Sequence, residues 1–77
     1  MTTIDPDKIA RELGDRIVRA REAAGITQAE LGRRLGRPRG SVHRWENGDG
    51  GIRDVALLLQ IAGVLACPLR RLIPLAA

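Results

Sequence analysis

The chain has 77 residues, 44% of them hydrophobic and 29% charged, with one cysteine, one histidine, one tryptophan and neither Phe nor Tyr. That length holds at most one domain, a lone cysteine excludes an internal disulfide, and one Cys with one His is too few soft ligands for zinc. The net charge of +4 is concentrated: residues 1–32 carry five bases against six acids, residues 33–48 five arginines against Glu46, and residues 49–77 three arginines against two acids, a focused basic segment of the kind that attracts polyanions.

With so few aromatics the core must come from Leu, Ile, Val and Ala, a composition that favours helices over strands. Asp5-Pro6-Asp7 is a turn and N-cap signal. Ile9, Leu13, Ile17, Ala20 and Ala24 then recur at helical spacing, and Gly25 stops the helix. This predicts helix one over residues 7–24, after an N-terminal arm at 1–6. Thr27 caps helix two, with Glu30 three positions on to complete a capping box and Ile26 to staple onto Leu31. Leu31 and Leu35 form its apolar stripe, and Gly36 ends it.

Pro38 suits the first position of a third helix, over about 38–46. Val42 and Trp45 give it one buried face, and Asn47-Gly48 terminates it. The rival is a β-hairpin around Asn47-Gly48; the flanks alternate poorly, and Asp54 reads better as the N-cap of helix four. That helix carries Val55, Leu58, Leu59, Ala62 and Leu65 on one broad stripe. Being apolar nearly all round, it is expected to be the central helix. Pro68 starts a short last helix and Pro74 ends it, leaving 74–77 as a tail. Cys67 reads as a small buried apolar residue. The expectation is an all-α domain over 7–73, five helices and no strand. With no leader and no apolar run near 18 residues, the chain reads as cytoplasmic, with no membrane partner. One histidine and no paired buried carboxylates leave no catalytic set, so no enzyme and no cofactor are expected.

Helices two and three are joined by about three residues, which forces a sharp turn, the geometry of a helix-turn-helix. Such a turn needs a small residue where helix three crosses helix two, and Gly32 supplies it. Gly36 can take the positive φ of the turn. Leu31, Leu35, Val42 and Trp45 then hold the pair against the core. Trp45, three residues from Val42, is a core residue in this reading and not a base-stacking one.

Thr27-Gln28-x-x-Leu31-Gly32, Leu35-Gly36 and Ser41-Val42-x-Arg44-Trp45-Glu46-Asn47-Gly48 together resemble the phage-repressor helix-turn-helix family, of Cro/C1 or Xre type. The resemblance runs from about Leu13 to Ile73 and implies a compact five-helix lambda-repressor-like domain. It implies a sequence-specific regulator of transcription, a repressor, with its recognition helix in the major groove of double-stranded DNA. It implies action as a homodimer on a palindromic site. Gln28 then matches a phosphate-binding glutamine, and the start of helix two offers free amides as well. Thr27, Arg33, Arg34, Arg37, Ser41, Asn47 and Arg53 join it as phosphate contacts. Arg39, Gly40, His43 and Arg44 match positions that reach base edges, arginine being the commonest reader of guanine. Arg21 and Glu46 match a buried ion pair that locks helix one to the helix-turn-helix.

Pro38 stands where the family usually has a Ser or Thr cap, Gly40 removes a reading side chain, and Ala66 replaces a frequent turn glycine. The departures at Pro38 and Gly40 favour an alternative, a protein-interaction module or the antitoxin of a toxin–antitoxin pair that keeps the fold, with a toxin or other regulator as partner. Leu69, Leu72, Ile73 and Leu75 place four apolar residues in the last nine. They are read as a dimer interface, the other reading being that they close the core.

Overall fold

The computed structural model describes residues 5–49, 52 and 54–74. Five helices follow in chain order: α1 (Pro6–Ala23), α2 (Gln28–Leu35), α3 (Arg39–Glu46), α4 (Val55–Val64) and α5 (Leu69–Leu72), with no strand among the described residues. The protein is all-α.

Asp5 begins α1 by accepting the amide of Asp7 at 3.0 Å, and Pro6 fills the next position, where its missing N–H is no loss. Thr27 Oγ1 begins α2 by accepting the Glu30 amide at 3.0 Å. The capping box closes only by half, because the Glu30 carboxylate turns forward to Arg33 and Arg34. At the end of α2, Gly36 sits at φ +67°, and the amides of Gly36 and Arg37 return to the carbonyls of Arg33 and Gly32. This left-handed closure suits a residue without Cβ. It turns the chain within three residues into α3.

Gly32 serves the same turn by its size. A Cβ there would meet the Arg37 carbonyl oxygen at 2.6 Å, so the close approach is to the connection ahead of α3. A second close approach has no counterpart in the sequence reading. At Gly14 a Cβ would stand 2.5 Å from the Trp45 carbonyl oxygen and 2.7 Å from that of Glu46. Thus α1 crosses the end of α3 at backbone distance.

Pro38 is the N-cap of α3 and not its first helical residue. Its ψ of 153° is extended, and it offers no side-chain cap. The helix proper begins at Arg39.

The core gathers Ile17 and Ala20 of α1, Leu31 of α2, Val42 and Trp45 of α3, Leu57, Ile61 and Ala62 of α4, with Leu65 and Leu72. Leu13, Ile26, Leu35 and Cys67 are half-buried against it. Ile9 and Ala24, expected on the buried stripe of α1, are exposed.

Helix α4 differs most from expectation. Asp54 Oδ1 caps it through the Leu57 amide at 2.7 Å. Its buried residues are Leu57, Ile61 and Ala62, whereas Val55 is 62% and Leu59 54% exposed. The helix packs on α2 and α5 at one side of the domain, while α1 lies against both α3 and α5. The reason is plain in the sequence. Gln60 is the only polar side chain in α4, so hydrophobic periodicity gives the helix no preferred face.

After α4, Ala66 takes a left-handed φ of +53° without being glycine. Helix α5 is a single turn after the Pro68 cap and stops at Ile73, which is extended. Arg16 ties α1 to it through a 3.2 Å bond to the Arg71 carbonyl. Leu72 is wholly buried in the core of the single chain. That corrects its assignment to a dimer interface, since its side chain is already covered. Leu69 and Ile73 are half-buried, and Leu75 lies outside the described residues.

Candidate nucleic-acid interface

Helix α3 has two faces of opposite character. Val42, Trp45 and Glu46 are buried, while Arg39, Gly40, His43, Arg44 and Asn47 are exposed. Positions 39, 43 and 47 stand one turn apart along the outer side, with 40 and 44 beside them. Four of these five positions offer hydrogen-bonding side chains, three of them nitrogen-rich and basic. No acid interrupts the exposed row.

His43 and Asn47 are joined on that face. Asn47 Nδ2 and His43 Nε2 stand 2.9 Å apart, a hydrogen bond between the two side chains. Gly40 has open space around the position of a Cβ. Packing therefore does not require a glycine there. Ser41 is half-buried on the flank, and Arg37 is exposed in the turn.

The next element inward holds α3 in place. Arg21 Nε donates to Glu46 Oε2 at 2.6 Å and Arg21 Nη2 to Glu46 Oε1 at 3.2 Å, a two-pronged ion pair. The side chains are 14% and 4% exposed. Arg21 Nη1 also donates to the Ile26 carbonyl at 2.9 Å, so the guanidinium joins α1 to the entry of α2 as well as to α3. The bond to Glu46, ahead of charge attraction and against the effect of burial, raises Arg21 above the usual arginine range.

Gln28 Nε2 reaches the same carboxylate, 2.8 Å from Glu46 Oε1. Sequence reasoning missed this link. The residues are 18 positions apart, and nothing in a linear pattern pairs an amide at the start of one helix with an acid at the end of the next. Around it Arg21, Glu22, Thr27, Gln28, Ala29 and Arg39 are among the residues that line an open hollow. Thr27 Oγ1 takes the Glu30 amide and the Thr27 carbonyl takes that of Leu31. The amides of Gln28 and Ala29 are the two that helix geometry leaves over beside this hollow.

Arg33 and Arg34 are exposed, and both are engaged by Glu30. The contacts are 2.6 Å from Arg33 Nη2 and 2.7 Å from Arg34 Nε. Hydrogen bonds from Arg33 and then Arg34 hold the Glu30 carboxyl down to about 2. The outer flank of α2 is thus partly neutralised, whereas the row on α3 is not. Arg53 lies outside the described residues.

Residues 12–72 match the family model for the helix-turn-helix domain. The chain belongs to that family. This helix-turn-helix domain is also similar to solved structures of HppE. It shares 31% identity with iron(II) HppE in complex with substrate, at a TM-score of 0.81 over 88% of this chain and 39% of that one. Apo-HppE gives 30% identity and a TM-score of 0.80 over 86% and 36%. Cobalt(II) HppE with substrate gives 30% and 0.82 over 90% and 38%. This domain spans less than two-fifths of each of those chains. A search of curated proteins found no match. Among the described residues, no helix is long and apolar enough to cross a membrane, and no cluster of three or more metal-ligating side chains occurs.

Proposed function

We propose that this helix-turn-helix domain is a sequence-specific regulator of Cro/C1 or Xre type, acting as a repressor in the cytoplasm with α3 in the major groove of double-stranded DNA. The observation that carries the reading is the outer row of α3, where Arg39, His43, Arg44 and Asn47 are exposed and no acid intervenes. Arg39 and Arg44 are suited to the guanine edge, Asn47 and Arg37 to flanking phosphates. Gln28 and the two free amides at the start of α2 suit a further phosphate. The domain acts as a two-fold dimer, with recognition helices ~34 Å apart on a palindromic site. It performs no catalysis of its own.

The test is an electrophoretic mobility shift with random duplex at low and high salt. Binding at low salt that weakens steeply as salt rises is the expected result. No binding at low salt would overturn the reading.

A second reading is supported by the likeness to HppE at 30–31% identity, where the matched region is a minor part of a larger chain. Together with Gly40, which gives α3 no side chain at a reading position, it supports a protein-interaction module, as in an antitoxin. Salt-insensitive capture of a protein partner, with no shift of DNA, would favour it.

A further inference from the structure

We infer that Glu46 is a positioning residue for a DNA phosphate contact, holding the Gln28 amide at the hollow that opens the second helix. The inference rests on the DNA-binding reading above. Glu46 Oε1 receives Gln28 Nε2 at 2.8 Å and Arg21 Nη2 at 3.2 Å, while Oε2 receives Arg21 Nε at 2.6 Å. One carboxylate at the end of α3 therefore gathers a side chain from α1 and another from α2.

The chemistry orients the amide. A carboxylate only accepts, so Gln28 must turn its NH2 group inward and cannot present its carbonyl oxygen there. One N–H is spent on Glu46 and the other is left over, on a residue that lines the same hollow as the Thr27 and Ala29 side of the α2 entry. An untethered glutamine would sample several rotamers and both amide orientations, and one of those orientations would set an oxygen against a phosphate. Holding it beforehand lowers the ordering cost of binding. Because Glu46 also belongs to the helix with the exposed basic row, the same atom links the phosphate contact to the reading helix.

A double-mutant cycle with Gln28→Ala and Glu46→Gln tests this, reading both duplex affinity and the unfolding midpoint. Glu46→Gln alone is expected to weaken DNA binding roughly two- to tenfold, the worth of one hydrogen bond. In the Gln28→Ala background it should weaken binding no further. Its effect on the unfolding midpoint should persist in both backgrounds, because the Arg21 contact is present in both. Equal affinity losses in the two backgrounds would overturn the positioning role while leaving DNA binding intact. A wild type that binds no duplex at low salt would overturn the DNA-binding reading, and this inference with it. Should Glu46→Gln fail to fold by circular dichroism, the side-chain NH2 signals of Gln28 in the wild-type NMR spectrum decide. Slower exchange than those of the exposed Gln60 is expected, and exchange as fast as that of Gln60 would overturn the inference.

Discussion

Glu46 is the residue on which most depends. It is the buried charge of the domain's described core, and Arg21 and Gln28 together occupy both its oxygens. Removing one member of a buried pair strands the other, at a typical cost of ~3–5 kcal/mol. Glu46→Ala should therefore unfold much of so small a domain, and a urea melt checks it; an unchanged midpoint would show the pair to be dispensable. Ala66 carries the opposite opportunity. Its φ of +53° places a Cβ where the left-handed region disfavours one, at a cost of about 1–2 kcal/mol. Ala66→Gly relieves that and adds some freedom to the unfolded chain. A net gain of up to ~1 kcal/mol is expected, seen as a higher melting temperature.

Among the elements, α3 and α2 divide the basic residues between them. Arg39 and Arg44 stand on the acid-free outer row of α3, whereas Arg33 and Arg34 on α2 are held by Glu30. Such exposed pairs are worth little and open readily to a phosphate. Arg44→Ala should cost ~1–3 kcal/mol at one base position and relax preference there. Replacing Arg33 and Arg34 together should weaken all sequences alike and flatten the salt dependence. Competition binding against specific and random duplex separates the two, and equal losses for Arg44→Ala would remove it as a reader. Gly40 tests the helix itself. With open space at its Cβ, Gly40→Ala should stabilise α3 by about 1 kcal/mol, raising the melting temperature by roughly 4–8 °C. If the same variant weakens duplex binding, the bare backbone at residue 40 lies against DNA.

For the whole molecule, the question is which apolar surface is spent on the core and which is left. Leu72 is 0% exposed, while Val55 and Leu59 stand out from α4. A charge at Leu72 must therefore be buried in the fold of one chain, and Leu72→Asp should unfold the domain instead of separating two folded copies. Leu59→Asp should leave the helical circular dichroism and the melting temperature nearly unchanged. A folded, monomeric Leu72→Asp variant would contradict this division of the surface.

Local chemistry sufficed to read much of this protein from its sequence. Caps at Asp5, Thr27 and Asp54, the helix stop at Gly36 and the sharp turn before α3 follow from hydrogen bonds and backbone angles within a few residues, which sequence order displays. The basic face of α3 was legible for the same reason, since Val42 and Trp45 mark its opposite side. Four features were decided only by tertiary structure. The buried face of α4 could not be read, because a helix with one polar side chain has no periodic signal and is oriented by its neighbours. The fate of Leu72 depended on whether α1 and α4 left room for it. Gly14 and the Gln28–Glu46 bond arise where separate helices cross, and the physical cause, backbone contact in one case and a shared carboxylate oxygen in the other, exists only once they do.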